Sequence, residues 1–200
     1  MGATLALWTL ALGRVSLASA VRGLYGLAVP DIAQEISPMA EPRRAAATAP
    51  RFEGGRFLIV EARYYDAIGA DLLSGATRAI EAAGSTYDLI SVAGALEIPA
   101  GLAIALDAAK AAGRPYDGAV ALGCVVRGET FHFEIVAGES ARALMDMSVE
   151  RLLALGNGIL TTETIEQAEE RADPEGGDKG GDAARAAIGL AHLARRLVNR

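Results

Sequence analysis

From Arg56 onward, short apolar segments that favour β-strands alternate with longer amphipathic segments. This alternation is typical of βαβ units arranged around a parallel sheet. The predicted strands are 57–63, 87–94, 116–126 and 156–162. The predicted helices are the segment between Asp66 and Gly84, then 97–112, 130–153, about 163–171 and 182–197. Because the connections are only a few residues long, we expect parallel strands joined by right-handed helical crossovers.

Start and stop signals support the first two helices. Asp66 is placed to cap the first helix, and Gly84 follows that helix as a C-terminal stop. Pro99 falls in the first turn of the second helix, where its missing N–H is tolerated, and Gly113 closes that helix. Two complete βα units are therefore expected before residue 116.

Composition excludes several classes of protein. The apolar share is 52%, but it comes largely from alanine in short runs. Arg14 and Arg22 interrupt the only candidate for the run of about 18 to 20 apolar residues that a membrane span needs. The net charge of -6 and the isoelectric point near 5.0 oppose a generic nucleic-acid surface, which needs clustered Lys and Arg. We therefore expect neither a membrane nor a nucleic acid as a partner.

Few side chains are available for chemistry. Cys124 is the single cysteine, which excludes an internal disulfide and a Cys-rich zinc site and fits a reducing, cytoplasmic compartment. Its place in an apolar strand predicts a buried, inert thiol. The two histidines, His132 and His192, leave little room for a metal centre. His192 lies near the end of the last helix, where a cation favours the helix dipole, so we interpret it as structural.

Residues 1–50 differ in composition from the rest and predict an N-terminal extension attached to a domain at 51–200. The apolar opening and an A-x-A-like site at 18–20 imitate a signal peptide, but no Lys or Arg precedes the apolar centre. Met39 is an alternative start. A disordered extension, an export signal and wrongly included upstream codons all remain open.

Ligands of open parallel sheets bind beyond the carboxyl ends of the strands, so a site is expected at the strand-to-helix junctions. At the first junction, Tyr64 emerges as the strand ends and could stack on a flat heterocycle, although a rim tyrosine would have the same pattern. At the second junction, 94–99, small residues allow close approach of the backbone. Glu97 begins a helix there, and its carboxylate either complements the helix dipole or accepts hydrogen bonds from ligand hydroxyls.

The third junction combines a predicted anion pocket with a predicted base. Gly128 permits a tight turn, and the amides of Glu129 and Thr130 are expected at a helix N-terminus, an arrangement that suits phosphate. His132 falls in the first turn, where the positive helix end favours a neutral imidazole that can accept a proton. A surface or packed histidine is the alternative. Arg127 could instead pair with a carboxylate and serve only as scaffold.

The fourth junction begins at Asn157 and leads into a Gly-rich loop at 175–182, with Arg171 and Lys179 close by. Cations so placed commonly bind anionic ligands, including those of a neighbouring subunit, although exposed cations are often simply solvated. The loop is not a phosphate-binding P-loop, because Gly180 follows Lys179 where that motif requires Ser or Thr.

Taken in order, these junctions resemble the 6,7-dimethyl-8-ribityllumazine synthase family, the riboflavin synthase beta-chain family, over about residues 55–197. The resemblance rests on GALEIP at 94–99, LGCVVRGETFHFE at 122–134, GILTTETIEQAEERA at 158–172 and DKGGDAA at 178–184. Four segments in the right order and spacing are far more specific than any one of them.

The resemblance implies a three-layer α/β/α, flavodoxin-like fold with a four-stranded parallel sheet flanked by helices. It implies a transferase that condenses 5-amino-6-(D-ribitylamino)uracil with 3,4-dihydroxy-2-butanone 4-phosphate, in the penultimate step of riboflavin biosynthesis, without metal or organic cofactor. Members form homopentamers, and some pentamers assemble into icosahedral shells of sixty subunits. Riboflavin synthase is the implied protein partner.

The resemblance also implies a role for each site residue. Tyr64 would stack on the pyrimidine and His132 would be the catalytic proton carrier. The other substrate-binding residues would be Ala95, Leu96 and Glu97 at the ribityl chain, Cys124, Val125 and Val126 through main-chain groups at the uracil, Glu129 and Thr130 at the phosphate, and Asn157, Arg171 and Lys179 in the active site of the adjacent subunit, with Arg171 as a phosphate ligand.

Two residues depart from the family pattern. Asn157 stands where many members have an aromatic or apolar side chain, and Leu96 where some have phenylalanine, so the ribityl contacts are the least specified. The short loop at 172–180 favours a shell over a free pentamer. The residues alone leave two other functions open. One is a non-catalytic relative that binds flavins or builds a shell, and the other is a different sugar-phosphate enzyme on the same fold.

Overall fold

The computed structural model describes residues 49–198, so the expectations for residues 1–48, including the alternative start at Met39, lie outside the described residues. The strands are β1 Arg56–Ala62, β2 Thr86–Val92, β3 Gly118–Val126 and β4 Leu155–Thr162. The helices are α1 Asp66–Ala82, α2 Ile98–Ala111, α3 His132–Glu150, α4 Ile165–Ala172 and α5 Lys179–Val198, with a 3-10 turn at Ala95–Glu97. Each predicted strand and helix is confirmed.

The strands form one parallel sheet in the order β2-β1-β3-β4. Successive side chains of β1 point to opposite faces, so that Phe57 and Ile59 enter one core while Leu58 and Val60 enter the other. Because both faces of the central strands are buried, Phe57 to Val60 of β1 and the whole of β3 are continuous apolar runs instead of alternating ones.

Helices cover both faces of the sheet. Side chains of α1, α4 and α5 complete the core that contains Phe57, and side chains of α2 and α3 complete the core that contains Leu58. The arrangement is the expected three-layer α/β/α, flavodoxin-like fold. Within residues 49–198, no helix is both long and apolar enough to cross a membrane.

The glycine stop signals are confirmed, but the predicted cap is not. Gly84 and Gly113 have φ of +80° and +71°, which glycine adopts at little cost after a helix. Asp66, by contrast, does not cap α1. Tyr65 occupies the N-cap position and no side chain caps the helix, so Asp66 is the first helical residue, where its charge favours the positive helix end.

Two helices begin away from their predicted starts. The chain bends and turns at 129–131, so α3 begins at His132 and not at Thr130. Helix α5 begins at Lys179, three residues before its predicted start, because Gly180 belongs to the helix and packs against α1. A Cβ on Gly180 would lie 2.0 Å from the carbonyl oxygen of Leu72, so only glycine allows this approach of the two helices.

Candidate active site

The carboxyl ends of β2, β1 and β3 lie side by side, because the three strands are parallel neighbours in the sheet. Tyr64 follows β1, the turn Ala95–Glu97 follows β2, and Val126 ends β3. The structure therefore brings the first three predicted junctions together at one edge of the sheet, as expected for an open parallel sheet.

Tyr64 is an open aromatic surface at this edge. Its side chain is 76% exposed, and its ring meets the ring of Tyr65 edge to face, with centroids 5.1 Å apart. Tyr65 is half-buried and packs against the core, and burial raises the pKa of its hydroxyl, with smaller contributions from Cys124 and Tyr64. One tyrosine thus anchors the junction, and the other is free to stack on a flat ligand.

The turn after β2 holds the predicted ribityl residues. Ala95 is buried, whereas Leu96 and Glu97 are exposed. The amide of Glu97 donates to the carbonyl oxygen of Gly94 at 3.1 Å, which closes the turn. A Cβ on Gly94 would lie 2.9 Å from a carboxylate oxygen of Glu97, so the absence of a side chain there makes room for that carboxylate.

The end of β3 offers main-chain groups. Strand β1 pairs with β3 only as far as Glu61 and Leu122, whereas β4 pairs with β3 to its end at Val126. From 124 to 126, the side of β3 that faces β1 therefore has no strand partner for its amides and carbonyls. The thiol of Cys124 is buried, and burial raises its pKa to about 11, which agrees with the predicted inert thiol.

The predicted anion pocket is a loop and not the first turn of a helix. Gly128, Glu129 and Thr130 are exposed and precede α3, and His132 is its first residue. A Cβ on Gly128 would have no atom within 4 Å, so the space beside this loop is open. The exposed imidazole of His132 and the amides before it still lie together at the positive end of α3.

Arg127 holds this loop between three elements. Its Nε lies 2.7 Å from a carboxylate oxygen of Glu163 after β4, and its guanidinium pairs with Glu134 in the first turn of α3. The guanidinium carbon also lies 4.1 Å from the ring centroid of Phe133. The interpretation of Arg127 as scaffold is therefore favoured, and the hydrogen bonds to Glu134 and Glu163 raise its pKa.

The remaining predicted residues line a separate cleft of ≈ 360 Å³ beside β4, the outer strand. Asn157, Arg171 and Lys179 all line it. The Asn157 amide oxygen accepts a hydrogen bond from the backbone of Ile159 at 3.0 Å, and Lys179 Nζ lies 3.2 Å from a carboxylate oxygen of Asp182. No residue of the first three junctions lines this cleft, so the described chain divides the predicted site into two groups.

Sequence reasoning missed two charged side chains beside the candidate site. Asp182 lines the cleft. It lies three residues after Lys179, a spacing that places opposite charges side by side on a helix and could have indicated their ion pair. Glu61 is 2% exposed inside β1, and the signal was a carboxylate within an otherwise apolar strand. Among residues 49–198, no group of three or more His, Cys, Asp or Glu is arranged to hold a metal.

Comparison with known proteins adds an independent line of evidence. Residues 54–195 match the family model described as 6,7-dimethyl-8-ribityllumazine synthase. A relative of that name from Methylocella silvestris is 64% identical over 79% of this chain and 97% of its own length. Relatives from Afipia carboxidovorans and Rhodopseudomonas palustris, the latter named 6,7-dimethyl-8-ribityllumazine synthase 1, are 61% and 60% identical over 80% of this chain and 99% of their own lengths.

Proposed function

Because the chain belongs to the 6,7-dimethyl-8-ribityllumazine synthase family, we infer that the three neighbouring junctions and the cleft beside β4 are the two halves of its active site. The enzyme is a transferase that condenses 5-amino-6-(D-ribitylamino)uracil with 3,4-dihydroxy-2-butanone 4-phosphate to give 6,7-dimethyl-8-ribityllumazine. This is the penultimate step of riboflavin biosynthesis. The observation that supports the site most directly is the meeting of Tyr64, Glu97 and His132 at one edge of the sheet.

The pyrimidine substrate binds across β1, β2 and β3. Its ring stacks on the exposed side chain of Tyr64, and its carbonyl and amide edge meets the main chain of Cys124, Val125 and Val126. The ribityl chain extends toward the 3-10 turn, where Ala95, Leu96 and Glu97 surround it. Glu97 is exposed and its carboxylate accepts hydrogen bonds from the ribityl hydroxyls.

The phosphate of the second substrate binds at the loop before α3. The amides of Glu129 and Thr130 and the hydroxyl of Thr130 are its ligands, and the positive end of α3 adds to the attraction. Arg171 of an adjacent copy completes the anion site, because a guanidinium can hold two phosphate oxygens at once. Phosphate serves as a binding handle and then as the leaving group.

His132 moves the protons. Imine formation, phosphate elimination and ring closure each transfer a proton near neutral pH, and one well-placed imidazole can mediate all three. The rest of the acceleration comes from holding two substrates in register, which can contribute roughly 7 to 11 kcal/mol in favourable cases.

The separation of the two residue groups supports a homopentamer in which neighbours share each site. Residues 49–198 also expose apolar side chains over one face of the sheet, on α2, on α3 and in the turn after α3: Ile104, Met145, Val149 and Leu152. Exposed apolar surface of this kind is typical of an interface between copies. The resemblance extends the proposal to a shell of sixty subunits, to riboflavin synthase as a partner, and to a cytoplasmic location, which the unpaired Cys124 supports.

We propose that residues 51–200 form the synthase domain and that residues 1–50 are an extension. The family match begins at residue 54, and the alignments with the two relatives cover 79% and 80% of this chain and 97% and 99% of their own lengths. Removal of residues 1–50 is expected to leave the rate of lumazine formation unchanged.

The proposed site is tested first at His132. Replacement of His132 by alanine removes the proton carrier, and we expect kcat to fall by about 10²-fold or more with smaller changes in either KM. Lumazine formation is followed by absorbance after the two substrates are mixed. His192→Ala is the matched control, since this half-buried histidine lies in α5 and is expected to keep the wild-type kcat.

A wild-type kcat in the His132→Ala variant would remove the role assigned to this residue. Tight riboflavin binding by the native protein without any turnover of the two substrates would instead support a non-catalytic relative.

A further inference from the structure

Glu61 is a buried carboxylate that the reaction outlined above does not use. It lies one residue before the end of β1 and is 2% exposed. Its Oε1 accepts a hydrogen bond from the hydroxyl of Ser91 in β2 at 2.8 Å and lies 3.0 Å from the Nε of Arg63. Its Oε2 is buried and has no hydrogen-bond partner within residues 49–198.

Such a group is costly in this position. Burial of a charged carboxylate is unfavourable unless ion pairs and hydrogen bonds replace the lost water, and one oxygen of Glu61 is left without them. Leu58, Val60 and the other neighbours in β1 are fully buried apolar residues, so an aliphatic side chain would suit the strand better. Stability alone therefore gives a poor account of Glu61.

The contacts of Glu61 fix the direction of the chain just before Tyr64. Glu61 holds the guanidinium of Arg63, and the stem of Arg63 packs on Gly69 of α1, where an added Cβ would lie 3.1 Å from the Arg63 Cγ. Arg63 is thereby tied back to the end of β1 and the start of α1. Tyr64 is the next residue, and its exposed side chain projects from the backbone that Arg63 fixes.

The same carboxylate joins the two strands that frame the predicted pyrimidine site. Glu61 and Ser91 are register partners in β1 and β2, and Ser91 lies three residues before Gly94, where the ribityl turn begins. One side chain thus contacts both the residue before Tyr64 and the strand that leads to Glu97.

We propose that Glu61 is a positioning residue for the pyrimidine substrate, acting through Arg63 on Tyr64 and through Ser91 on the 94–97 turn. The proposal rests on the stacking role proposed for Tyr64. It predicts an effect on one substrate only, since the loop that would bind phosphate lies after β3, whereas the hydrogen bond and the ion pair of Glu61 go to Ser91 and Arg63.

The test replaces Glu61 by glutamine, which has the same shape and retains a hydrogen-bonding group for Ser91 but loses the charge that holds Arg63. We expect the KM for the aminouracil to rise about tenfold, with kcat and the KM for the butanone phosphate within about twofold of wild type. The double variant of Glu61→Gln with Arg63→Gln separates positioning from general damage. If Glu61 acts through Arg63, the double variant raises the aminouracil KM no more than either single variant does.

Asp88→Asn is the matched control. Asp88 pairs with Arg56 across the same two strands, β1 and β2, but near their amino ends and away from the site. Asp88 also accepts a hydrogen bond from the hydroxyl of Tyr116 at 2.7 Å, so loss of both interactions is expected to lower the urea midpoint without changing either KM. Glu61→Gln is expected to raise the aminouracil KM even if its urea midpoint falls no further than that of Asp88→Asn.

Tyr64→Ala distinguishes failure of this proposal from failure of the proposed site. If Tyr64→Ala leaves the aminouracil KM unchanged, the stacking role itself is wrong. If Tyr64→Ala raises that KM and Glu61→Gln does not, or if Glu61→Gln raises both KM values equally, Glu61 is only a structural residue and the positioning role is overturned.

Discussion

Arg127 shows how one side chain outside the proposed substrate contacts can control the geometry of the site. It joins the end of β3 to Glu134 in α3 and to Glu163 after β4, and the loop 128–131 leaves the sheet directly after it. The ion pairs are half-exposed, so we expect them to contribute little to global stability. Their effect is expected on the loop that would hold the phosphate.

Replacement of Arg127 by methionine tests this role. We expect kcat/KM for the butanone phosphate to fall about tenfold, because a small displacement of the loop misplaces both the phosphate and His132. The KM for the aminouracil and the urea midpoint are expected to stay close to wild type. Steady-state kinetics with each substrate varied in turn measures the difference.

Arg142→Met is the control for Arg127→Met. Arg142 also makes two ion pairs, with Glu139 and Asp146, but on the exposed side of α3 and within one helix. Equal losses of activity in the two variants would show that ion pairing in general, and not the position of the loop, accounts for the effect.

Sequence patterns predicted the position of the candidate site residues in the fold better than they predicted the contacts of those residues. Tyr64 was predicted beyond β1 because its place after an apolar strand requires only the strand pattern. The orientation of Asn157 was not predictable, because an asparagine in a strand can bond either to a ligand or to its own backbone. In the structure its amide oxygen accepts a hydrogen bond from the backbone of Ile159. The contacts of Glu61 were missed for the opposite reason, since Ser91 comes from a neighbouring strand, 30 residues along the chain.

At the scale of elements, β1 and β3 were predicted closely because both faces of these central strands are buried, which leaves long apolar runs. Helix starts were less accurate. The sequence predicts a loop at Gly180 and Gly181, since glycine is a poor helix former. In the structure they lie inside α5, because close packing on α1 outweighs the low helix propensity.

Gly180→Ala tests this packing. The new Cβ would lie 2.0 Å from the carbonyl oxygen of Leu72, a backbone atom that cannot move without shifting α1, and overpacking of this kind typically costs about 1–3 kcal/mol. We expect the free energy of unfolding to fall by about that amount, measured by urea denaturation.

Gly189→Ala in the same helix is the control, because a Cβ there has no atom within 4 Å. Alanine is the better helix former, so this variant is expected to be as stable as wild type or about 0.5–1 kcal/mol more stable. If both substitutions changed stability equally, close packing would not be the reason for glycine at position 180.

At the scale of the whole molecule, the order of the strands decides which residues can act together. Because β4 is an outer strand, the cleft with Asn157, Arg171 and Lys179 lies beside it, apart from the junctions of β1, β2 and β3. The residues alone predicted parallel strands but not this order, since the order depends on which strands pair and not on any local pattern. One chain would then supply His132, and the adjacent chain would supply Arg171.

Mixed assemblies of two inactive variants test the sharing of sites. His132→Ala and Arg171→Ala subunits are co-expressed with different tags, and assemblies that carry both tags are purified. In a ring with one type of interface, each site takes His132 from one chain and Arg171 from the next. A site is intact only where an Arg171→Ala chain supplies His132 and a His132→Ala chain supplies Arg171. Random mixing gives that pair in about a quarter of the sites, so about a quarter of the wild-type activity is expected. Each variant alone, and the two mixed after assembly, are the controls and are expected to stay near background. If the mixed assemblies are no more active than the separate variants, each site is confined to a single chain. Native mass measurement of the same samples gives the number of subunits in the assembly.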